Sequence, residues 1–234
     1  SFEDNFYSND VRINAIHNWL VDFGPRFKLE FKNLFVQIGE HETTQRAGTD
    51  FIQLPNYDRL NYAYHYLSRG IYSGQLEGTH KFGADETTRL NWVFGLNSIN
   101  RNEPDYRRFR TIRDKTLQET EEPFIMQLPP AGNLFETGRF WSELEDLGYS
   151  HGLNFEKKFG DKMDKRALTV KAGYFGEYKT RSFKARYLNY LYPDGPDFDP
   201  AIGEELRSLP LSDIFDPSNI KRQDGFVIEE GTTA

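Results

Sequence analysis

The residue types able to hold a ligand are unevenly spread along the 234-residue chain. Tyr57, Tyr62, Tyr64 and Tyr66 crowd into one short stretch together with Asn61. Phenol rings present a flat apolar body and a hydrogen-bonding tip, the chemistry that stacks on sugars or other flat ligands. A second stretch, Glu103, Asp105, Arg107, Arg108, Arg110 and Arg113, mixes carboxylates with guanidiniums. Such groups pair with one another or grip charged ligands bidentately. Tyr57, Tyr62, Tyr64, Tyr66, Asp105, Arg107 and Arg108 are therefore the candidate ligand contacts. The competing explanation is a polar loop cover beside a solvated, salt-bridged rim, in which such pairs contribute little. Asp194, Asp197 and Asp199, set around Gly195 and Pro196, offer oxygen ligands of the kind Ca²⁺ takes. An ordinary Asp/Gly/Pro turn explains the same spacing, and the EF-hand pattern is missing.

Support for catalysis is lacking. His17, His41, His65, His80 and His151 are scattered, with no HExxH pair, no GxSxG and no phosphate-binding glycine loop. There is no cysteine, which removes thiol nucleophiles, disulfides and Cys-ligated zinc together. The expectation is a protein that is not an enzyme and carries no cofactor. A net charge of −7 opposes nucleic-acid binding, whose footprint is basic.

The elements that would position these residues are strands. Hydrophobic residues make up only 37% of the chain, yet it holds 20 Phe, 13 Tyr and 3 Trp. Disordered chains are poor in aromatics, so the composition calls for elements apolar on one side only. Period-2 alternation supplies them. From Val11 to Phe23 the odd positions run Val11, Ile13, Ala15, His17, Trp19, Val21, Phe23, and the even positions include Arg12, Asn14, Asn18 and Asp22. After Gly24-Pro25-Arg26, Phe27, Leu29, Phe31 and Phe35 alternate with Lys28, Glu30 and Lys32. Two further hairpins repeat the unit. The expected hairpins span about 11–39, 70–101 and 147–187, with long loops at about 40–69, 102–146 and 188–234. The best helical spacing, Phe140, Trp141, Leu144 and Leu147, is too short to organise a fold.

Strands of about 12 residues exceed the usual globular length of roughly 5–6 and suit a tilted crossing of a bilayer, which takes about 9–11. Aromatics flank the short turns (Phe23, Phe27, Phe82, Trp92 and Phe159), where an interfacial girdle would lie. Short turns at one end and long loops at the other are the asymmetry of an outer-membrane barrel. The expected fold class is therefore all-β, an antiparallel transmembrane β-barrel segment of about six to eight long strands. A soluble β-sandwich or lipocalin-like barrel alternates in the same way and is the competing fold. Six strands are too few to close the smallest barrels of about eight. Both ends of the sequence also read as cut, so an internal piece of a larger protein is expected.

From Glu77 to Arg113 the sequence resembles a known family. Glu77-Gly78-Thr79-His80-Lys81-Phe82-Gly83, then Leu90-Asn91-Trp92, then Arg101-Asn102-Glu103-Pro104-Asp105-Tyr106-Arg107-Arg108 resemble the barrel of TonB-dependent outer-membrane receptors of the Bacteroidota type. Asp10-Val11-Arg12 through Phe31-Lys32-Asn33-Leu34-Phe35, and Phe215-Asp216-Pro217-Ser218-Asn219-Ile220, are similar to flanking parts of the same barrels. The resemblance implies a 22-stranded barrel with an N-terminal plug, which this sequence does not contain, and energised uptake of a ligand across the bacterial outer membrane. The partners it implies are outer-membrane lipid, the plug and remaining barrel, the TonB-ExbB-ExbD machinery and a surface lipoprotein. The alternative is a barrel component of a secretion or surface-assembly complex without TonB-coupled import.

Overall fold

The computed structural model describes residues 1–83, 86–116, 123–128, 137–160, 168–191, 199–214, 216–219 and 227–233. Four strands form a continuous meander: β1 (Phe2–Asp22), β2 (Phe27–Asp50), β3 (Leu54–Phe82) and β4 (Thr88–Asp114). A two-residue β5 (Ile125–Met126) lies beside β4, followed by β6 (Gly138–Phe159), β7 (Leu168–Leu191) and β8 (Val227–Thr233). Between β7 and β8 come the helices α1 (Pro200–Arg207) and α2 (Leu211–Ile214). The fold is all-β: one antiparallel sheet in the order β1-β2-β3-β4-β6-β7-β8, with β5 paired to β4. The sheet is open, because β1 and β8 do not meet.

The six long strands run for 21 to 29 residues, further than the three expected hairpins. Segment 40–69 was expected to be a loop, but β2 continues to Asp50 and β3 starts at Leu54. The Asp50 side chain accepts from the backbone N–H groups of Ile52 and Gln53 at 3.1 and 3.0 Å, an Asx turn that reverses the chain in three residues. Threonines and tyrosines, which favour pleated backbone, carry the strands up to it. Likewise β4 extends to Asp114 and β6 begins at Gly138, inside the expected loop 102–146. The helical spacing at Phe140–Leu147 is strand, since twenty-two residues of pairing along β7 outweigh one helical repeat. Segment 188–234 holds the end of β7, both helices and β8.

The three-residue turn after Asp50 departs from the expected asymmetry of short turns and long loops. Two further short connections sit at the opposite end of the sheet. Gly24 (φ +98°) and Gly83 (φ +85°) take left-handed backbone there, which lets β1–β2 and β3–β4 reverse tightly.

Each strand presents two faces. One carries Trp19, Phe31, Leu76, Phe94 and His151 in a single row of paired residues, and we call it the banded face. The other, the charged face, holds Lys28, Glu30, Lys32, Glu77, Glu156 and Lys171. These link across strands, Lys32 to Glu77 at 2.7 Å and Lys171 to Glu156 at 3.2 Å. A single layer has little interior. Among the described residues the buried apolar side chains are Leu67, Met126, Tyr190, Leu206 and Ile214. The last four form a small cluster beyond the turn-free part of the sheet, packed against Phe109, Leu128, Ile202 and Leu209. Arg207 ties α1 to this cluster by donating from Nε to the Met126 carbonyl at 2.8 Å.

Candidate functional site

The candidate residues converge on an irregularity in β4. Proline has no N–H to give a ladder and is confined to edges or bulges within sheets, yet Pro104 lies in a central strand. The pairing of β4 with β6 runs down to Glu103↔Ser142 and resumes at Tyr106↔Phe140. Pro104 and Asp105 therefore oppose Trp141 alone. The register with β3 slips in the same place, between Tyr64 and Ser68. This is a β-bulge, and its extra residue reverses the facing of everything that follows. Glu103 points to the charged face, and Asp105 and Arg107 point to the banded face. Tyr106 and Arg108 return to the charged one.

On the charged face Glu103 is nearly enclosed, with 7% of its surface exposed. Ser142 donates its hydroxyl to one carboxylate oxygen. His65 Nε2 lies 2.9 Å from the other, and the Arg101 guanidinium is 3.1 Å away. His65 Nδ1 is 3.4 Å from Glu42, so the network ties β2, β3, β4 and β6 together. Burial alone pushes the Glu103 carboxyl up, but Ser142, His65 and Arg101 together hold it below its ordinary value. Tyr106 packs on the His65 ring at 4.7 Å, and Arg108 lies over the Tyr106 ring at 4.3 Å. Beside them a groove of about 430 Å³ is lined by Arg46, Asn61, Tyr106, Arg108 and Arg110.

On the banded face the tyrosines form a wall. Tyr62 and Tyr64 stack with parallel rings 6.4 Å apart, and Phe109 meets Tyr64 edge-on at 6.2 Å. Tyr66 lies across Gly39, where an added Cβ would sit 3.4 Å from its hydroxyl. Arg139 grips Asp105 bidentately, at 2.9 and 2.8 Å, and Arg107 reaches the same carboxylate at 2.5 Å. Partial burial raises the Asp105 carboxyl, and hydrogen bonds from Arg139 and Arg107 pull it below the usual carboxylate value. A cleft of about 330 Å³ opens here between His41, Tyr64, Tyr66, Asp105, Arg107 and Phe109.

The seven candidates thus do not compose one site. Tyr62, Tyr64, Tyr66, Asp105 and Arg107 share the banded face, and Arg108 lies across the sheet from them. Tyr57 stands apart in a recess with Ile112, Arg113, Glu204 and Arg207. Of the acidic trio, Asp194 and Asp197 lie outside the described residues. Asp199 is the N-cap of α1, its side chain accepting from the Ala201 N–H at 2.9 Å, which is a structural task. Among the described residues no three His, Cys, Asp or Glu side chains are placed to share a metal ion. His41, His65 and Arg139 were not among the expected ligand contacts, and Glu103, named in the mixed-charge run, was not expected to stand on the other face from Asp105 and Arg107; the signal was Pro104, which marks where facing reverses. No protein-family model matches the chain, and no characterised protein matches it significantly.

Proposed function

We propose that the chain is a stretch of wall from an outer-membrane β-barrel of the TonB-dependent receptor kind. Its banded face would meet lipid and its charged face a wet, ligand-facing interior.

One observation carries this reading, the shape of the apolar band. Above the row Trp19–Phe31–Leu76–Phe94–His151–Gly176, the band climbs to Val11 on β1 but only to Tyr178 on β7. Below it, the band stops at Phe23 next to β1 and reaches Leu168 on β7. It is therefore displaced by about 15 Å along the strands while crossing roughly 24 Å of sheet, a slope of about 30°. Barrel strands tilt by roughly 35–45° to the membrane normal, so a level slab of lipid would cut the sheet along such a line. The band's rings are also open to their surroundings. Trp19, Phe94 and Tyr174 expose 59%, 58% and 62% of their surface, far from the buried inner face of a sandwich. Just beyond the band the same face turns polar on β2, β3, β4, β6 and β7, with Gln37, Ser68, Asn100, Glu145 and Ser182.

The motif resemblance from Glu77 to Arg108 supports the narrower assignment to receptors that couple uptake to TonB. In that assignment Arg108, Tyr106 and Arg110 would face the imported ligand, with plug, remaining barrel, TonB-ExbB-ExbD and a surface lipoprotein as partners. No helix among the described residues is long and apolar enough to cross a membrane, and the proposed crossing is by strands.

The three tryptophans test the reading. Single-tryptophan variants of the full-length protein are reconstituted in vesicles whose acyl chains carry bromine, which quenches indole fluorescence on contact. Trp19 and Trp92, within the band, are expected to be quenched several-fold more than Trp141, which lies beyond its upper edge. Equal quenching at all three positions, or none, overturns the assignment.

A further inference from the structure

We infer that the cleft on the banded face, at Tyr64, Tyr66 and Arg107, holds the phosphorylated sugar headgroup of an outer-leaflet glycolipid. The inference rests on the membrane reading above and assigns a separate task to the face turned away from any imported ligand.

Three features point to this occupant. The first is facing. Pro104 turns Asp105 and Arg107 onto the same face as Trp19 and Phe94, so the cleft looks outward over lipid. The second is height. From Phe35, at the upper edge of the band on β2, to His41 is six residues, about 20 Å along the strand and about 15 Å above the hydrocarbon after tilt. Simple headgroups fill only about 5–8 Å on each side of a bilayer. A saccharide headgroup reaches the cleft, and a plain phospholipid does not.

The third feature is chemistry. Asp105 neutralises only one of the two guanidiniums that hold it, Arg107 and Arg139. The cluster keeps one positive charge, and the Arg107 side chain is 51% exposed. The nearest acid on the neighbouring row of β6, Glu143, faces Lys184 across the sheet. An exposed guanidinium binds phosphate through paired N–H donors, and basic pockets at membrane level recruit anionic headgroups. The rings of Tyr64 and Tyr66 supply amphipathic walls of the kind that gather at membrane interfaces. His41 completes the rim of the cleft.

The test uses the full-length protein extracted from its own membrane in mild detergent. Retained phosphorylated glycolipid and phospholipid are counted by native mass spectrometry. Arg107→Gln/Arg139→Gln and Tyr64→Ala/Tyr66→Ala are each expected to lower retained glycolipid at least about fivefold with phospholipid unchanged. Lys171→Gln, on the opposite face, is expected to leave both unchanged. If the double variants fail to assemble, Arg107→Lys keeps the charge but loses the paired donors, and an intermediate loss is expected. Purified glycolipid and its deacylated phosphosaccharide are then offered to lipid-stripped protein. Equal binding of the two would mean a soluble anion site and overturn the lipid assignment, as would unchanged retention in the variants. Bromine quenching of Trp19 and Trp92 separates the failures. If quenching persists while retention is unaltered, this inference alone falls. If quenching is lost, the membrane reading falls with it.

Discussion

Glu103 is the residue whose environment is most completely specified. Enclosed at 7% exposure, it accepts from Ser142 and sits against His65 and Arg101. A buried acceptor that loses such donors leaves them unsatisfied, at a cost of about 1–3 kcal/mol. Glu103→Gln is therefore expected to lower the unfolding free energy by that order, read as a urea midpoint in vesicles. The pH dependence has a definite sign. The folded state holds this carboxyl below its ordinary value, so its contribution is present at neutral pH. That contribution fades as acid carries the solution from the ordinary carboxylate range down through the lowered value. The gap between wild type and Glu103→Gln should narrow on acidification over that window. A gap that widens would refute the network as drawn. The identities of these residues were plain in the sequence, but their grouping was not. Strict alternation puts Glu103, Asp105 and Arg107 on one face, whereas the bulge leaves Glu103 opposite the other two.

At the scale of elements, the bulge governs the upper half of β4. Removing the extra residue leaves Asp105 alone opposite Trp141, so alternation runs unbroken through the site while every side chain from Asp105 to Asp114 keeps its present face and partner. Deletion of Pro104 is thus expected to keep the Asp105–Arg139 pair and the Arg113–Asp58 contact at 3.2 Å, and to cost only the local twist and bend of the bulge. Pro104→Ala keeps the residue count, and its effect should stay within about 1 kcal/mol because the position carries no ladder bond. Folded yield and protease resistance of the two variants make the comparison. Hairpin positions and facing were legible in the alternation around Trp19 and Phe31. The strand extensions were not, because Thr43, Thr44, Tyr62 and Tyr64 lie where neither face is continuously apolar. Pattern reading there returns a loop, while pairing with neighbours already in register makes a strand. The tyrosines are held by that extension, so a site expected on a flexible loop stands instead on rigid sheet.

For the molecule as a whole, the deciding contrast is between the small cluster around Met126 and Ile214 and the long open face bearing Trp19, Phe94 and Tyr174. Contiguous apolar surface on soluble monomers seldom exceeds a few hundred Å², and the backbone edge of β1 is likewise unpaired. Expressed alone without lipid or detergent, residues 1–234 are expected to aggregate. A monodisperse folded monomer in plain buffer would contradict the membrane assignment. The all-β class followed from alternation and aromatic content. Eight strands are present among the described residues, within the six to eight expected, and the sheet they form is open.

The order of the strands carries a kinetic consequence. Among the described residues every long strand hydrogen-bonds to its neighbours in chain order, with the two-residue β5 between β4 and β6 and helices α1 and α2 between β7 and β8. Loop closure is then cheap at each step, because no distant segment must be found before the next contact forms. The sheet can zip from either end, each finished hairpin serving as the template for the next. In the proposed barrel the slow step would move to the two outer strands, β1 and β8, whose outward edges pair last.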